Sequence, residues 1–148
     1  MFPTLFGWKR NKEQLIKKRV CPVQFFSGKK AMKLETIVKS LHLKVKYGEE
    51  ILNVEVQGGY VGDLLSDVMA NSRKGDLLIT RQIHQNIVAV ASLNELAGIV
   101  LVQGAEPAPE TLEKAARENI PLLVAELPAF EVAGRIYQMI AARGIQPV

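Results

Sequence analysis

The stretch "GDLLITRQIHQNIVAVASLNELAGIVLVQG", residues 75–104, holds the pattern on which the fold turns. Two short runs in it, Leu77–Thr80 and Gly98–Val102, are apolar without alternation, as strands buried on both faces of a sheet are. Between them Asn86–Leu96 is rich in Ala and Val and long enough for a helix. A strand, a crossover helix and a second strand make a parallel pair. The pattern continues downstream. Pro109–Asn119 is an amphipathic helix with Glu110, Glu113, Lys114, Arg117 and Glu118 outward, Pro121–Ala125 is a third run of the buried type, and Pro128–Arg143 is a terminal helix. Pro109 and Pro128 fall near helix starts, where a missing N–H costs nothing.

Upstream, Leu34, Ile37, Val38 and Leu41 recur at i, i+3, i+4, i+7, so residues 33–41 read as an amphipathic helix, expected on a sheet edge. Leu43, Val45 and Tyr47 alternate with Lys44 and Lys46, and Gly48-Glu49-Glu50 turns the chain into a second extended run, Val54–Val61. Gly58-Gly59 interrupts that run, the sign of a bulge or a close backbone approach. Asp63 stands where an N-cap is wanted for a helix ending at Asn71, and Gly75-Asp76 closes the next turn. The expected architecture is a three-layer α/β domain over residues 32–148, with a mainly parallel sheet covered by helices and no internal repeat.

Charge divides the chain differently. The formal charge is +4, but residues 1–31 hold eight Lys/Arg and one Glu, net +7, and the rest is net −3. Trp8, Leu15, Ile16 and Val20 lie in loosely helical spacing among those cations, until Pro22. The leader is expected to be a disordered tail or an arm for phosphate or anionic lipid, and any nucleic-acid contact is assigned to it alone. Ser27-Gly28-Lys29-Lys30-Ala31 can be encoded by a purine-rich stretch resembling a ribosome-binding site, which favours Met32 over Met1 as the native start. Cys21 is the single cysteine, so no internal disulfide forms and a reducing cytoplasm is the simplest compartment. No apolar run is long enough to span a membrane, and with two histidines there is no Cys/His spacing for structural zinc.

In parallel sheets ligands gather beyond the carboxyl ends of the strands. That rule selects the loops Arg81–Asn86, Gln103–Pro107 and Glu126–Pro128, with Gly59, Tyr60 and Asp63 facing them. The candidate ligand-binding residues are Gly59, Asp63, Thr80, His84, Asn86, Gln103 and Gly104. Asn86 reads first as a helix cap, His84 as a donor to phosphate or carboxylate, and Gln103-Gly104 either as an anion-facing backbone or as a tight turn. Asp63 and Asp67 share a helix face, which suits capping and dipole complementation better than a metal ion. No G-x-x-x-x-G-K-[ST], G-x-G-x-x-G or G-x-S-x-G motif occurs, and no nucleophile–base constellation is legible.

The blocks "GGYVGDLLSDVMAN" (58–71), "GDLLIT" (75–80) and "AGIVLVQG" (97–104), in that order, resemble the DRTGG-domain family. The likeness is to its small stand-alone members, related to the N-terminal, non-catalytic domain of HPr kinase/phosphatase, and it covers residues 32–146. It implies a regulatory or dimerising module, as in larger proteins where DRTGG domains accompany CBS domains. The name letters themselves mostly differ: Gln82, Ile83, His84 and Asn86 stand in place of the charged Gly-Asp-Arg loop and its second aspartate, and Val102, Gln103 and Gly104 in place of Thr-Gly-Gly, so that only Gly104 of the five letters is kept. The resulting expectation is a non-catalytic homodimeric module that binds a small anionic or nucleotide-type ligand, without cofactor or metal, and signals to a separately encoded partner. A protein–protein adaptor without a small ligand is the alternative.

Overall fold

The computed structural model describes residues 32–143. The basic leader, its proposed arm and Cys21 lie outside the described residues. The elements run β1 (Met32–Lys33), α1 (Leu34–Leu41), β2 (Lys44–Tyr47), a 3₁₀ turn (Glu49–Ile51), β3 (Glu55–Val56), β4 (Gly58–Val61), α2 (Leu65–Asn71), β5 (Asp76–Thr80), α3 (Asn86–Leu93), β6 (Gly98–Leu101), α4 (Pro109–Glu118), β7 (Leu122–Val124) and α5 (Ala129–Ala141). Five strands form the main sheet in the order β2-β7-β6-β5-β4, with β4 to β7 parallel and β2 antiparallel to β7 at one edge.

Strand alternation sorts the apolar runs into two cores. Leu77, Ile79, Val100 and Leu123 pack on one face with Leu34, Ile37 and Leu41 of α1 and Val132 and Ile136 of α5. Leu78, Ile99, Leu101, Leu122 and Val124 pack on the other with Val68 of α2, Ile87, Val88 and Ala91 of α3 and Ala115 of α4. The result is the expected three-layer α/β domain. Each central strand is buried on both sides, which is why its sequence carries no polar alternation.

Three local expectations change. Helix α1 lies against the sheet face beside α5, not on an edge, because its three buried positions all meet strand side chains of one core. The extended run Val54–Val61 is two strands in two sheets: β3 pairs antiparallel with β1, and β4 joins β5. Gln57 between them donates its backbone N–H to Gly75 O at 2.9 Å, so the chain changes sheet there without a loop. Gly58 is then forced by close approach, since a Cβ there would lie 2.8 Å from Asp76 Oδ1. Finally, neither proposed cap is one. Helix α2 begins at Leu65 with no side-chain cap, and Asn86 is the first residue of α3, again with no side-chain cap bond.

Candidate functional site

The carboxyl ends of β4, β5, β6 and β7 share one edge of the sheet, and the loops that leave the first three build a cavity. Its volume is about 390 Å³, and Asp63, Arg81, Gln82, Ile83, Ala105 and Glu106 line it. Asp63 is exposed and reaches across to the neighbouring strand. Its Oδ1 accepts a hydrogen bond from Thr80 Oγ1 at 2.7 Å and another from the Arg81 backbone N–H at 2.8 Å. Those two donors, the Arg81 amide first, hold its carboxyl below the ordinary value, so it is ionised at neutral pH. Thr80 Oγ1 also accepts from the Gln82 amide at 3.2 Å. The loop after β4 and the loop after β5 are thus locked together through one carboxylate and one hydroxyl.

The opposite wall is fixed in a similar way. Ile83 O accepts from Thr111 Oγ1 at 2.6 Å and from the Ala108 amide at 3.2 Å, tying the loop after β5 to the start of α4. Thr80 and Thr111 are the buried polar residues among the described ones, and each spends its hydroxyl on a loop of the cavity. At the β2 side, Lys46 Nζ meets Glu106 Oε2 at 2.8 Å and Lys44 Nζ meets Glu126 Oε1 at 2.8 Å. The Lys44 ammonium holds the exposed Glu126 carboxyl below its ordinary value, and such an open pair adds little stability. Among the described residues the Arg81 guanidinium has no ion-pair or hydrogen-bond partner.

The candidates from the sequence separate in space. Asp63 and Thr80 form the clasp just described. Gln103 and Gly104 make a tight turn, with φ of 56° and 64°, whose amides donate to Leu127 O at 3.0 Å and Ala125 O at 2.9 Å. Of the two readings of that turn the geometry takes the second, because both N–H groups are spent on the loop after β7. A Cβ on Gly104 would lie 2.7 Å from Glu126 Oε2. His84 and Asn86 are exposed at the entrance to α3, outside the cavity lining, and Gly59 lies within β4 beside Leu77, away from the loops. Asp67, the partner once weighed for Asp63, instead accepts from the Tyr60 hydroxyl and from Asn71 Nδ2, the latter at 2.7 Å. Arg81, Gln82, Ile83 and Glu106 were not singled out individually. The signal available for Arg81 was its place directly after a buried strand.

Among the described residues no group of three His, Cys, Asp or Glu side chains is placed to hold a metal ion, and no helix is long and apolar enough to cross a membrane. The model of the DRTGG domain matches residues 36–139. The chain belongs to the DRTGG-domain family. No curated protein matches it. A crystal structure of the CBS and DRTGG domains of the regulatory region of Clostridium perfringens pyrophosphatase, complexed with its activator diadenosine tetraphosphate, is similar at a TM-score of 0.61 and 18% identity. The likeness covers 78% of this chain and 50% of that one, so this chain spans half the length of that regulatory region, and what is shared is the DRTGG fold.

Proposed function

We propose that this DRTGG-family chain is a non-catalytic regulatory module that binds a small anionic or nucleotide-type ligand in the cavity at the carboxyl edge of its sheet and signals to a separately encoded partner in the cytoplasm. The observation that carries this reading is Arg81: a guanidinium without an ion-pair or hydrogen-bond partner among the described residues, on the wall of a cavity whose loops are held by Asp63, Thr80 and Thr111. A fixed backbone with a cation that has the Asp63 charge nearby but no side-chain bond is prepared for an anion, because little ordering remains to be done on binding. The clostridial regulatory region with which the fold is shared is complexed with a nucleotide activator, and it carries CBS domains as well.

The test is a thermal-shift series with ATP, diadenosine tetraphosphate and acetyl phosphate on the full chain and on Arg81→Ala. A rise in melting temperature for the wild type that is lost in the variant is expected; no rise with any compound overturns the reading. Helix α3 offers no apolar face to a homodimer, since its Ile87, Val88, Val90 and Ala91 are all buried within the monomer. The ligand-free adaptor remains the second reading, favoured by exposed Val61, Leu64 and Met69 beside the open edge of β4. Capture of one stable partner, equal with and without ligand, would support it.

A further inference from the structure

Resting on the reading of the cavity as an anion site, we propose that Lys46 is a second cation of that site, held in reserve by Glu106, and that the ligand is a polyanion of linked phosphoryl groups. Glu106 lines the cavity, and its Oε2 lies 2.8 Å from Lys46 Nζ. The charges there, Asp63, Arg81, Glu106 and Lys46, with Lys44 and Glu126 acting on the last two from the β2 side, cancel. An anion therefore gains little until one carboxylate gives way.

Asp63 is tied by two hydrogen bonds to the end of β5, whereas Glu106 makes one direct contact, to Lys46, with the Lys44 charge acting on it from farther off. Within that pair the Lys46 side chain is 29% exposed and the Glu106 side chain 63%. The carboxylate is the partner that can swing into water at small cost, leaving the more enclosed lysine side chain beside the loop that lines the cavity. Lys46 belongs to β2 and Arg81 follows β5, three strand spacings apart in the sheet, about 14 Å at ~4.8 Å each. Lys46 reaches as far as the loop after β6. A ligand touching both cations is extended, as linked phosphoryl groups are, while a lone phosphate engages Arg81 alone. Exchange of Glu106 for a ligand phosphate also gives the chain a signal: the ion pair that links β2 to the loop after β6 opens on binding.

Calorimetric titration of the full chain with orthophosphate, pyrophosphate and tripolyphosphate tests this on the wild type, Glu106→Gln, Lys46→Gln and Glu113→Gln, the last removing an exposed charge on α4. Glu106→Gln is expected to bind tripolyphosphate about threefold more tightly and Lys46→Gln about threefold more weakly, the scale of one exposed pair. Orthophosphate affinity should be unchanged in both, and Glu113→Gln should match the wild type throughout. Wild-type binding with Glu106→Gln or Lys46→Gln silent, or with Glu113→Gln tightening binding equally, overturns the proposal and leaves the anion site standing. A wild type that binds none of the three overturns both.

Discussion

One oxygen of Asp63 accepts both the Thr80 hydroxyl and the Arg81 amide, and those donors belong to residues 17 and 18 positions away. A capping aspartate bonds within its own first turn, so local spacing made Asp63 look like a cap; its actual partners are visible only once β4 and β5 are side by side. Replacing it by Ala leaves a buried hydroxyl and an amide without their acceptor, at a cost of about 1–2 kcal/mol. The sign of its pH dependence follows from its lowered pKa. The folded chain holds this carboxyl ionised more strongly than the unfolded chain does, so its contribution is full above about pH 4. It disappears as pH falls through the lower folded value. Melting curves of wild type and Asp63→Asn should be well separated at pH 7 and converge below pH 4; a constant separation would refute the assignment. Gly104 is legible for a different reason. Its φ of 64° is a backbone state that glycine enters freely, and Gly104→Ala should cost about 1 kcal/mol, read as a lowered melting temperature.

At the scale of elements, the two threonines divide the labour of shaping the cavity. Thr111, in the first turn of α4, is fully buried and donates to Ile83 O on the loop after β5. Thr111→Val keeps the volume and removes the donor, while the Ala108 amide still satisfies that carbonyl in part. A loss of about 1 kcal/mol is expected, with faster amide exchange confined to residues 81–86. Uniform loss of protection across the sheet would instead mean that the threonine stabilises the core. Strands β5, β6 and β7 were legible because each is buried on both faces and so writes an uninterrupted apolar run. Their helices were legible from the Ala/Val-rich length of α3, the amphipathic spacing of α4 and the prolines at the starts of α4 and α5, with ends shifted by a few residues. The run Val54–Val61 was not, because strands as short as β3 and β4 take their partners from tertiary context. Gly58 marks the exchange: Gly58→Ala would press a Cβ against the Asp76 carboxylate, which the Arg73 amide holds at 2.8 Å, and should loosen the edge strand.

On the scale of the whole molecule, a chain of net +4 is two unlike charge systems in series. The body of residues 32–148 is net −3, and at its carboxyl edge Lys44 and Lys46 are ion-paired with Glu126 and Glu106, while Arg81 has the Asp63 charge nearby but no ion pair among the described residues. Such a surface attracts a small anion at one point and repels an extended anionic polymer elsewhere. The leader's net +7 has the opposite property, since clustered Lys/Arg bind any polyphosphate by counterion release without regard to sequence. The two activities should therefore separate on deletion and respond differently to salt. Retention of the full chain on immobilised duplex DNA is expected at low salt, falling steeply between about 50 and 200 mM. Removal of residues 1–31 should abolish that retention while the ligand-induced rise in melting temperature, and its dependence on Arg81, persist. If the shortened chain still holds DNA with the same salt slope, the nucleic-acid contact belongs to the acidic body, and charge does not divide the two segments by function.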